Sequence, residues 1–226
     1  MNFFHNPNSH PDRNPDNMSE RVYLRLIADD MLPPEIVDAY EYVRPVAEGL
    51  VEALSLDLGD AVSMLRDCDV AQYGGLEKLR AAGRANLLKD PFEYDTAELD
   101  DGTVLHLVAG DSHYVGSQVL VLDEVMRTTH GHPPPPEGVL VAVPGRHHFA
   151  FHPIMDHHAG TAVKALASFG LESYENDADE GNGPISPYLY WWRDGTLTSL
   201  TAFDNRDGTL TIEVPGELEP IMGPSA

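Results

Sequence analysis

The spacing of apolar residues over 19–90 is that of amphipathic helices. Between Ile36 and Leu54, apolar side chains recur about every three or four positions, as they do on one face of a helix. Pro34 suits the first turn of such a helix, whereas Pro45 would kink it. The predicted helices span residues 19–31, 33–54, 60–69 and 76–88.

After Asp90 the pattern changes to the alternation of apolar and polar residues that is typical of strands. Asp194-Gly195 and Asp207-Gly208 are turn signals, and they predict hairpins between the last strands. The predicted strands span residues 92–95, 103–108, 138–144, 147–152, 188–192, 196–203 and 209–214. The strand at 138–144 does not alternate, and its continuous apolar run predicts a buried strand.

Two helices are predicted among these strands. The β-branched content of 116–127 suits a strand, but its length and apolar spacing favour a helix. A second helix is predicted at 156–169, with Asp156 as its N-cap and Gly170 as its C-terminal stop. An acidic loop is predicted at 172–182.

Helices followed by mainly antiparallel strands predict the α+β class, with N-terminal helices packed on an antiparallel C-terminal sheet. Residues 1–18 are rich in Asn, Pro, His and Asp, which predicts a disordered tail. We expect one domain over 19–216, with a helical part at 19–90 and a sheet-rich part at 91–216. A C-terminal tail is predicted at 217–226.

The composition is strongly acidic, with 14 Lys and Arg against 37 Asp and Glu and a net charge of −23 in 226 residues. Such a charge repels nucleic-acid backbones and anionic membranes and attracts basic proteins. No apolar run approaches the roughly 20 residues of a membrane helix, and the N-terminus lacks the basic start and apolar stretch of a secretory signal. We therefore expect a cytoplasmic protein with a basic protein partner, without nucleic-acid or membrane binding.

Three segments of the second half carry a family resemblance. They are GDSHYVGSQVLVLDEV at 110–125, GVLVAVPGRHHFAFHP at 138–153 and GPISPYLYWWRDG at 183–195. They resemble a strand entering a helix, a valine-rich hairpin with Pro and Arg at its turn, and an aromatic-Trp-Arg strand of the YtpQ-like family. That family consists of bacterial proteins of unknown function. The resemblance implies its fold and a bacterial cytoplasmic protein, and it implies no activity or cofactor.

Histidines are concentrated in one region, because nine of the eleven lie within residues 106–158. Histidine beside aspartate is a composition that binds metals. On a strand, His148 and His152 would share a face but lie about 13 Å apart, too far to bind one ion. A site made of His152, Asp156 and His157 requires the turn after that strand to bring the three side chains together.

The strand that ends in Arg193 is rich in aromatic residues. Alternation places Tyr188, Tyr190 and Trp192 on one face and Trp191 on the other. Tyr, Trp and Arg dominate interaction hot spots, so the first face together with Arg193 is a candidate partner-binding surface. The alternative is a strand that is buried on both faces.

Two further clusters have ordinary structural explanations. Residues 111–113 (Asp-Ser-His) offer an acid, a hydroxyl and an imidazole, but sequence neighbours rarely adopt triad geometry, so we interpret them as a helix cap. A basic patch, which we interpret as a solvated helix face, consists of Lys78, Arg80, Arg84 and Lys89.

These observations favour a binding protein over an enzyme, and they predict no cofactor. The leading hypothesis is an immunity-type or regulatory module that binds a basic partner protein. The alternative is a metal-assisted hydrolase that uses the segment from His147 to His158. A nucleic-acid mimic ranks last, because the carboxylates are scattered and do not form ordered rows.

Overall fold

The structure, a computed structural model, describes residues 18–32, 34–59, 61–155, 157–204 and 209–222. All pairs between the described strands are antiparallel, and helices are interspersed with them, so the α+β class is confirmed. None of the described helices is long and apolar enough to cross a membrane. Residues 1–17 of the predicted N-terminal tail lie outside the described residues. Met18, which ends that tail, and Leu218 in the predicted C-terminal tail are both buried.

A four-stranded sheet forms the first part of the chain, with β3 pairing to the other three strands. Its strands are β1 (Val22–Ala28), β2 (Arg44–Ala47), β3 (Leu50–Asp57) and β4 (Val62–Met64). The helices of this part are α1 (Met18–Arg21), α2 (Asp67–Gln72) and α3 (Leu76–Leu87). Short 3-10 segments at Asp29–Met31 and Val37–Ala39 lie between β1 and β2.

The predicted helices at 19–31 and 33–54 are wrong, because these residues form β1, β2 and β3. In β1, burial alternates from Val22 to Leu26, which is the period of a strand. In β3 both faces are buried, so its apolar residues form a nearly continuous run whose spacing also fits a helix. Residues 60–69 similarly divide between β4 and the start of α2, and only the helix at 76–88 is confirmed.

A six-stranded sheet forms the second part, in the order β10-β9-β7-β8-β6-β5. Its strands are β5 (Glu93–Glu98), β6 (Val104–Ala109), β7 (Val139–Gly145), β8 (His148–Pro153), β9 (Leu189–Arg193) and β10 (Thr196–Ser199). Each was predicted to within a few residues, β7 as a buried apolar run, apart from the end of the strand at 196–203. That strand breaks at the buried Leu200, and its remainder pairs in a separate ribbon of β11 (Thr201–Asp204) with β12 (Thr209–Ile212). The predicted turn at Asp207-Gly208 lies outside the described residues.

Helices cover the second sheet. The helix predicted at 116–127 is confirmed as a 3-10 segment, Gly116–Val121, that continues into α4 (Leu122–His130). α5 (Ala159–Glu180) is longer than predicted, so Gly170 does not stop it and most of the predicted acidic loop is helical. One glycine costs a helix only about 1 kcal/mol relative to alanine, and packing of α5 against β7 outweighs that cost. A short α6 (Glu219–Met222) follows.

β7 separates two apolar cores. Val139, Val141 and Val143 enter a core that is shared with the first sheet and with α3 and α4. Leu140 and Ala142, between them, enter a second core under α5. The two sheets are also joined by hydrogen bonds from the Tyr190 hydroxyl to the Glu48 carbonyl, at 3.0 Å, and from the Leu26 amide to Ser117 Oγ, at 3.0 Å.

We expect Gly83→Ala to destabilise the protein by about 1–3 kcal/mol, although alanine is the better helix former. α3 crosses β1 so closely at Gly83 that an added Cβ would lie 2.8 Å from the backbone nitrogen of Leu24. The measurement is urea unfolding of the purified variant.

The matched control is Ala85→Gly on the exposed side of the same helix, which should cost about 1 kcal/mol through helix propensity alone. A Gly83→Ala protein that is more stable than the wild type would show that α3 and β1 are not in close contact.

Candidate functional site

β5 is an open edge of the six-stranded sheet, because among the described strands it pairs only with β6. Its sequence, EYDTAE, has almost no apolar residues to bury, so it occupies an edge and is exposed along nearly its whole length. The carboxylates of Glu93, Asp95 and Glu98 are carried on this strand, and the turn after it adds Asp100 and Asp101. We call β5 and this turn the acidic edge.

An aromatic cluster supports the acidic edge from the neighbouring strand. The Tyr94 hydroxyl lies 2.7 Å from His106 Nδ1, and the two rings are stacked at 6.0 Å. His130, at the end of α4, places its Nε2 3.2 Å from His106 Nδ1 and its Nδ1 2.7 Å from Thr129 Oγ1. Phe151 lies behind His106, with ring centroids 5.0 Å apart. Tyr94 is therefore held in place while 38% of its surface stays exposed.

The histidines of this cluster are uncharged at neutral pH. Burial is the main cause that lowers the pKa of His106 to about 4, and His130 and His152 act in the same direction. Burial likewise lowers the pKa of His130, with His132 contributing. The acidic edge therefore keeps its negative charge, because the imidazoles beside it do not neutralise it.

The structure places the predicted aromatic strip in β9, but most of it is buried. Tyr190 is fully buried and Trp192 is 9% exposed, while Trp191 on the opposite face is 7% exposed. Tyr188 is half-buried and Arg193 is exposed, with its guanidinium 5.4 Å from the Trp191 ring. The expected exposed aromatic face is therefore corrected to a strand buried on both sides, because the first sheet covers the face that carries Tyr190 and Trp192.

The residues of the metal hypothesis are only partly described. His152 is buried, with Nδ1 2.8 Å from the Val104 carbonyl oxygen, and His157 is exposed, with its ring 4.3 Å from that of His158. Asp156 lies outside the described residues. Within the described part of the chain, no three His, Cys, Asp or Glu side chains are placed to hold one ion. The metal-assisted hydrolase therefore stays a hypothesis from the sequence.

Two of the four residues of the predicted basic patch, Arg80 and Arg84, form ion pairs, and Lys78 and Lys89 are exposed as expected. Arg80 Nε lies 3.0 Å from Glu52, a buried carboxylate that also accepts from Arg44 at 2.6 Å. Arg84 pairs with Glu124 at 2.6 Å. Arg44, Glu52, Arg80 and Arg84 line a cleft of about 480 Å³ next to Trp192. Arg80 and Arg84 thus join α3 to its surroundings instead of forming a solvated helix face.

No family model, curated protein or solved structure matches this chain. The resemblance to the YtpQ-like family therefore stays a prediction from the sequence. The three segments that carry it are neighbours in the fold. The segment 138–153 forms the β7–β8 hairpin, and 183–195 contains β9, which pairs with β7. The segment 110–125 contacts the hairpin through a hydrogen bond from the Gly116 amide.

The acidic edge was not identified as a site from the sequence. Its strand was predicted, but strand order was not, and only the order shows that β5 is an edge. The sequence did contain a pattern that indicates an edge strand. Three carboxylates in six strand residues are typical of edge strands that avoid self-association.

We expect Trp191→Ala and Trp192→Ala each to destabilise the protein by about 3–5 kcal/mol, since each removes a buried indole from a different core. The Trp191 indole also donates to the Glu137 carbonyl at 2.9 Å. Thermal and urea unfolding measure both losses. The control is Arg193→Ala in the same strand, which removes an exposed ion pair and should cost less than about 1 kcal/mol. A nearly neutral tryptophan variant would contradict burial on that face.

We expect stability to fall as the pH drops from 6.5 towards 4, in part because of His106. In this window the unfolded chain binds a proton at His106 and the folded chain does not, so lowering the pH favours unfolding. Replacing the imidazole in His106→Gln should flatten the loss measured by urea unfolding at about pH 7 and about pH 4.5. The control is His157→Gln at an exposed histidine. Equal pH dependence in the wild type and His106→Gln would refute this role.

Proposed function

We propose that this chain is a protein-binding module of the immunity or regulatory type, and that it binds an extended basic segment of its partner along the acidic edge. The observation that carries this proposal is an open edge strand whose exposed side chains are mostly carboxylates. The proposal retains the basic protein partner expected from composition and moves the contact surface from β9 to β5.

The backbone of an edge strand supplies the first part of the interaction. β5 presents to solvent the peptide groups that do not pair with β6, and an incoming strand can bond to them in the register of the sheet. Proteins that recognise extended peptides use this mode widely, since main-chain hydrogen bonds give affinity and side chains give specificity. Six residues of β5 are enough for a short added strand.

Charge supplies the selectivity. β5 contains no Lys or Arg, so an added strand meets Glu93, Asp95 and Glu98 without a local competitor on β5 itself. The Asp101 carboxylate in the following turn has a pKa well below its usual range, because it accepts hydrogen bonds from Thr161 and Thr103. Lysine and arginine on the incoming strand complement these carboxylates, and acidic segments are repelled.

Tyr94 supplies an aromatic contact midway along β5, on the face of the strand that carries Glu98 and opposite Glu93 and Asp95. Its ring is held by His106 and His130, so little side-chain entropy is lost when a partner packs on it. An arginine or lysine of the partner can lie over such a ring in a cation–π contact. The overall charge of −23 accelerates the encounter with a basic protein and makes the affinity salt-dependent.

The test compares two triple charge reversals with the same change in net charge. Glu93→Lys/Asp95→Lys/Glu98→Lys changes the acidic edge, and Glu172→Lys/Glu175→Lys/Asp179→Lys changes exposed carboxylates of α5. Each protein, including the wild type, is used as bait in its native lysate, and retained proteins are quantified. The affinity of a partner so found is then measured directly at about 50 mM and about 500 mM salt.

We expect the wild type and the α5 variant to retain the same basic partner, and the acidic-edge variant to lose it. Raising the salt should weaken the wild-type complex at least about tenfold through screening. Equal losses in both variants would show that overall charge, and not the edge, governs binding. If the acidic-edge variant retained the basic partner fully, the proposal would be refuted. Self-association of that variant would then show that the carboxylates serve to prevent pairing between copies of β5.

A further inference from the structure

Arg25 and Arg146 are half-buried and have no carboxylate within ion-pair distance among the described residues. By contrast, Arg66, Arg80 and Arg84 pair with Asp69, Glu52 and Glu124. Arg21 also lacks a carboxylate, but its Nε donates to the Asp57 carbonyl at 2.8 Å, and it belongs to α1, outside the strand and the turn that carry Arg25 and Arg146. In a chain with a net charge of −23, two unpaired and half-buried cations require an explanation.

The segment 114–116 links the two arginines at the junction of the sheets. Tyr23, which shares a face of β1 with Arg25, stacks on Tyr114 at 4.1 Å, and the Gly116 amide donates to the Arg146 carbonyl at 2.9 Å. Arg25 is on β1, on the face opposite Val22, Leu24 and Leu26, and Arg146 is in the turn between β7 and β8. Burial is the main cause that lowers the pKa of Arg25, and the positive charge of Arg146 acts in the same direction. Like charges brought together in a partly buried place repel each other, so placing these two guanidinium groups at one junction is electrostatically unfavourable.

Arg146 is held in a defined position. Its Nε donates to His147 Nε2 at 2.9 Å, and the protonated Nδ1 of His147 donates to the Gly110 carbonyl at 3.2 Å. Gly183, at φ +76°, allows close approach, because an added Cβ there would lie 2.8 Å from Arg146 Cδ. The two terminal amino groups of Arg146 make no hydrogen bond to any described residue. The Nε bond thus fixes the guanidinium, and its terminal donors are available to a ligand.

Two further polar groups beside these arginines lack partners among the described residues. The hydroxyl of Tyr114 is buried, with the residue only 2% exposed, and Nδ1 of His113 is buried as well. Tyr114 stacks on Tyr23 at 4.1 Å and 9°, which fixes its ring. Burial raises the pKa of Tyr114, so its hydroxyl stays a donor. The His113 ring lies 5.4 Å from that of His147, on the Arg146 side of the junction.

The nearby carboxylates do not neutralise the pair. Asp57 Oδ1 accepts the Gly59 amide at 2.8 Å and lies beyond ion-pair distance from both arginines. Asp90 bonds to Ser112, and burial raises its pKa. The junction thus holds two positive charges and two unsatisfied donor-capable groups. Asp57 and Asp90 are near it, but neither arginine has an ion-pair partner among the described residues.

We propose that Arg25, Arg146, Tyr114 and His113 form a binding site for a phosphate-type dianion, either inorganic phosphate or the phosphate group of a larger molecule. Two guanidinium groups match the charge of roughly −1.5 to −2 that a phosphate group carries at neutral pH. A guanidinium presents paired donors to such oxygens, and the Tyr114 hydroxyl supplies another donor. The site is separate from the acidic edge, and it does not depend on the function proposed above.

The first test is isothermal titration calorimetry of the full chain with inorganic phosphate in a chloride buffer of constant ionic strength. We expect saturable binding of one phosphate, and a loss of affinity of at least about tenfold in both Arg25→Gln and Arg146→Gln. Arg127→Gln, at an exposed arginine of α4, is the control and should bind like the wild type. No saturable binding by the wild type, or an equal loss in Arg127→Gln, would overturn the proposal.

A second variant guards against misfolding of the arginine variants. Tyr114→Phe keeps the stack on Tyr23 and removes only the hydroxyl, so it should fold and bind phosphate several-fold more weakly. Melting temperature gives an independent readout: in chloride alone, Arg25→Gln should melt no lower than the wild type, because a repulsive charge is removed. Phosphate should raise the melting temperature of the wild type and not that of Arg25→Gln. Unchanged phosphate affinity in Tyr114→Phe, or an equal phosphate effect in Arg25→Gln, would refute the site.

The ligand source is distinguished by three probes. Inorganic phosphate and phenyl phosphate should both bind, and acetate, a monoanion, should bind at least about tenfold more weakly because it leaves one arginine uncompensated. Tighter binding of phenyl phosphate would assign the site to phosphate groups of larger molecules, and binding of inorganic phosphate alone would assign it to the free ion. Acetate that binds as well as phosphate would contradict a dianion site.

Discussion

The burial of β7 on both faces is the constraint on which the rest of the structure depends. Every residue from Val139 to Gly145 is buried, and successive side chains enter two different cores. Because the strand serves both cores, α5 must cover one face of the six-stranded sheet and the first sheet with α3 and α4 must cover the other. β5 lies three strands away from β7, at the end of the sheet, where the layers cover only part of it, and so it is left as the exposed edge.

The position of a charged residue relative to the layers decides whether it is paired. Arginines between the layers are paired with carboxylates such as Glu52, which is itself buried, whereas many acidic residues face solvent. Removing one partner from such a pair would leave an uncompensated charge in a dry place. Arg25 and Arg146 depart from this rule at the junction of the sheets, and for that reason they indicate an external anion. The acidic edge follows the rule, because its carboxylates face solvent.

The two proposed sites therefore use opposite chemistry in different places. The acidic edge offers peptide groups, carboxylates and Tyr94 to an extended cationic segment. The junction offers guanidinium groups to a compact dianion, and it is built from β1 together with the β7–β8 turn. Because the junction joins the two sheets, an anion bound there would hold the layers together, while the edge would remain open to a partner.

Local periodicity determined much of the second half and little of the first. The short Val-rich run at 138–144, bounded by Gly138 and Pro144, was enough to predict a buried strand, and the net charge of −23 is a property of composition alone. The apolar pattern of β3 led to a wrong helix prediction. This strand is buried on both faces, so its sequence does not alternate, and its apolar run fits a helix equally well. Which strand becomes an edge, which aromatic residues are covered, and which arginines find carboxylates were decided only by the tertiary structure. These properties depend on contacts between residues far apart in the chain, as with Arg25 and Arg146, and local spacing carries no information about such contacts.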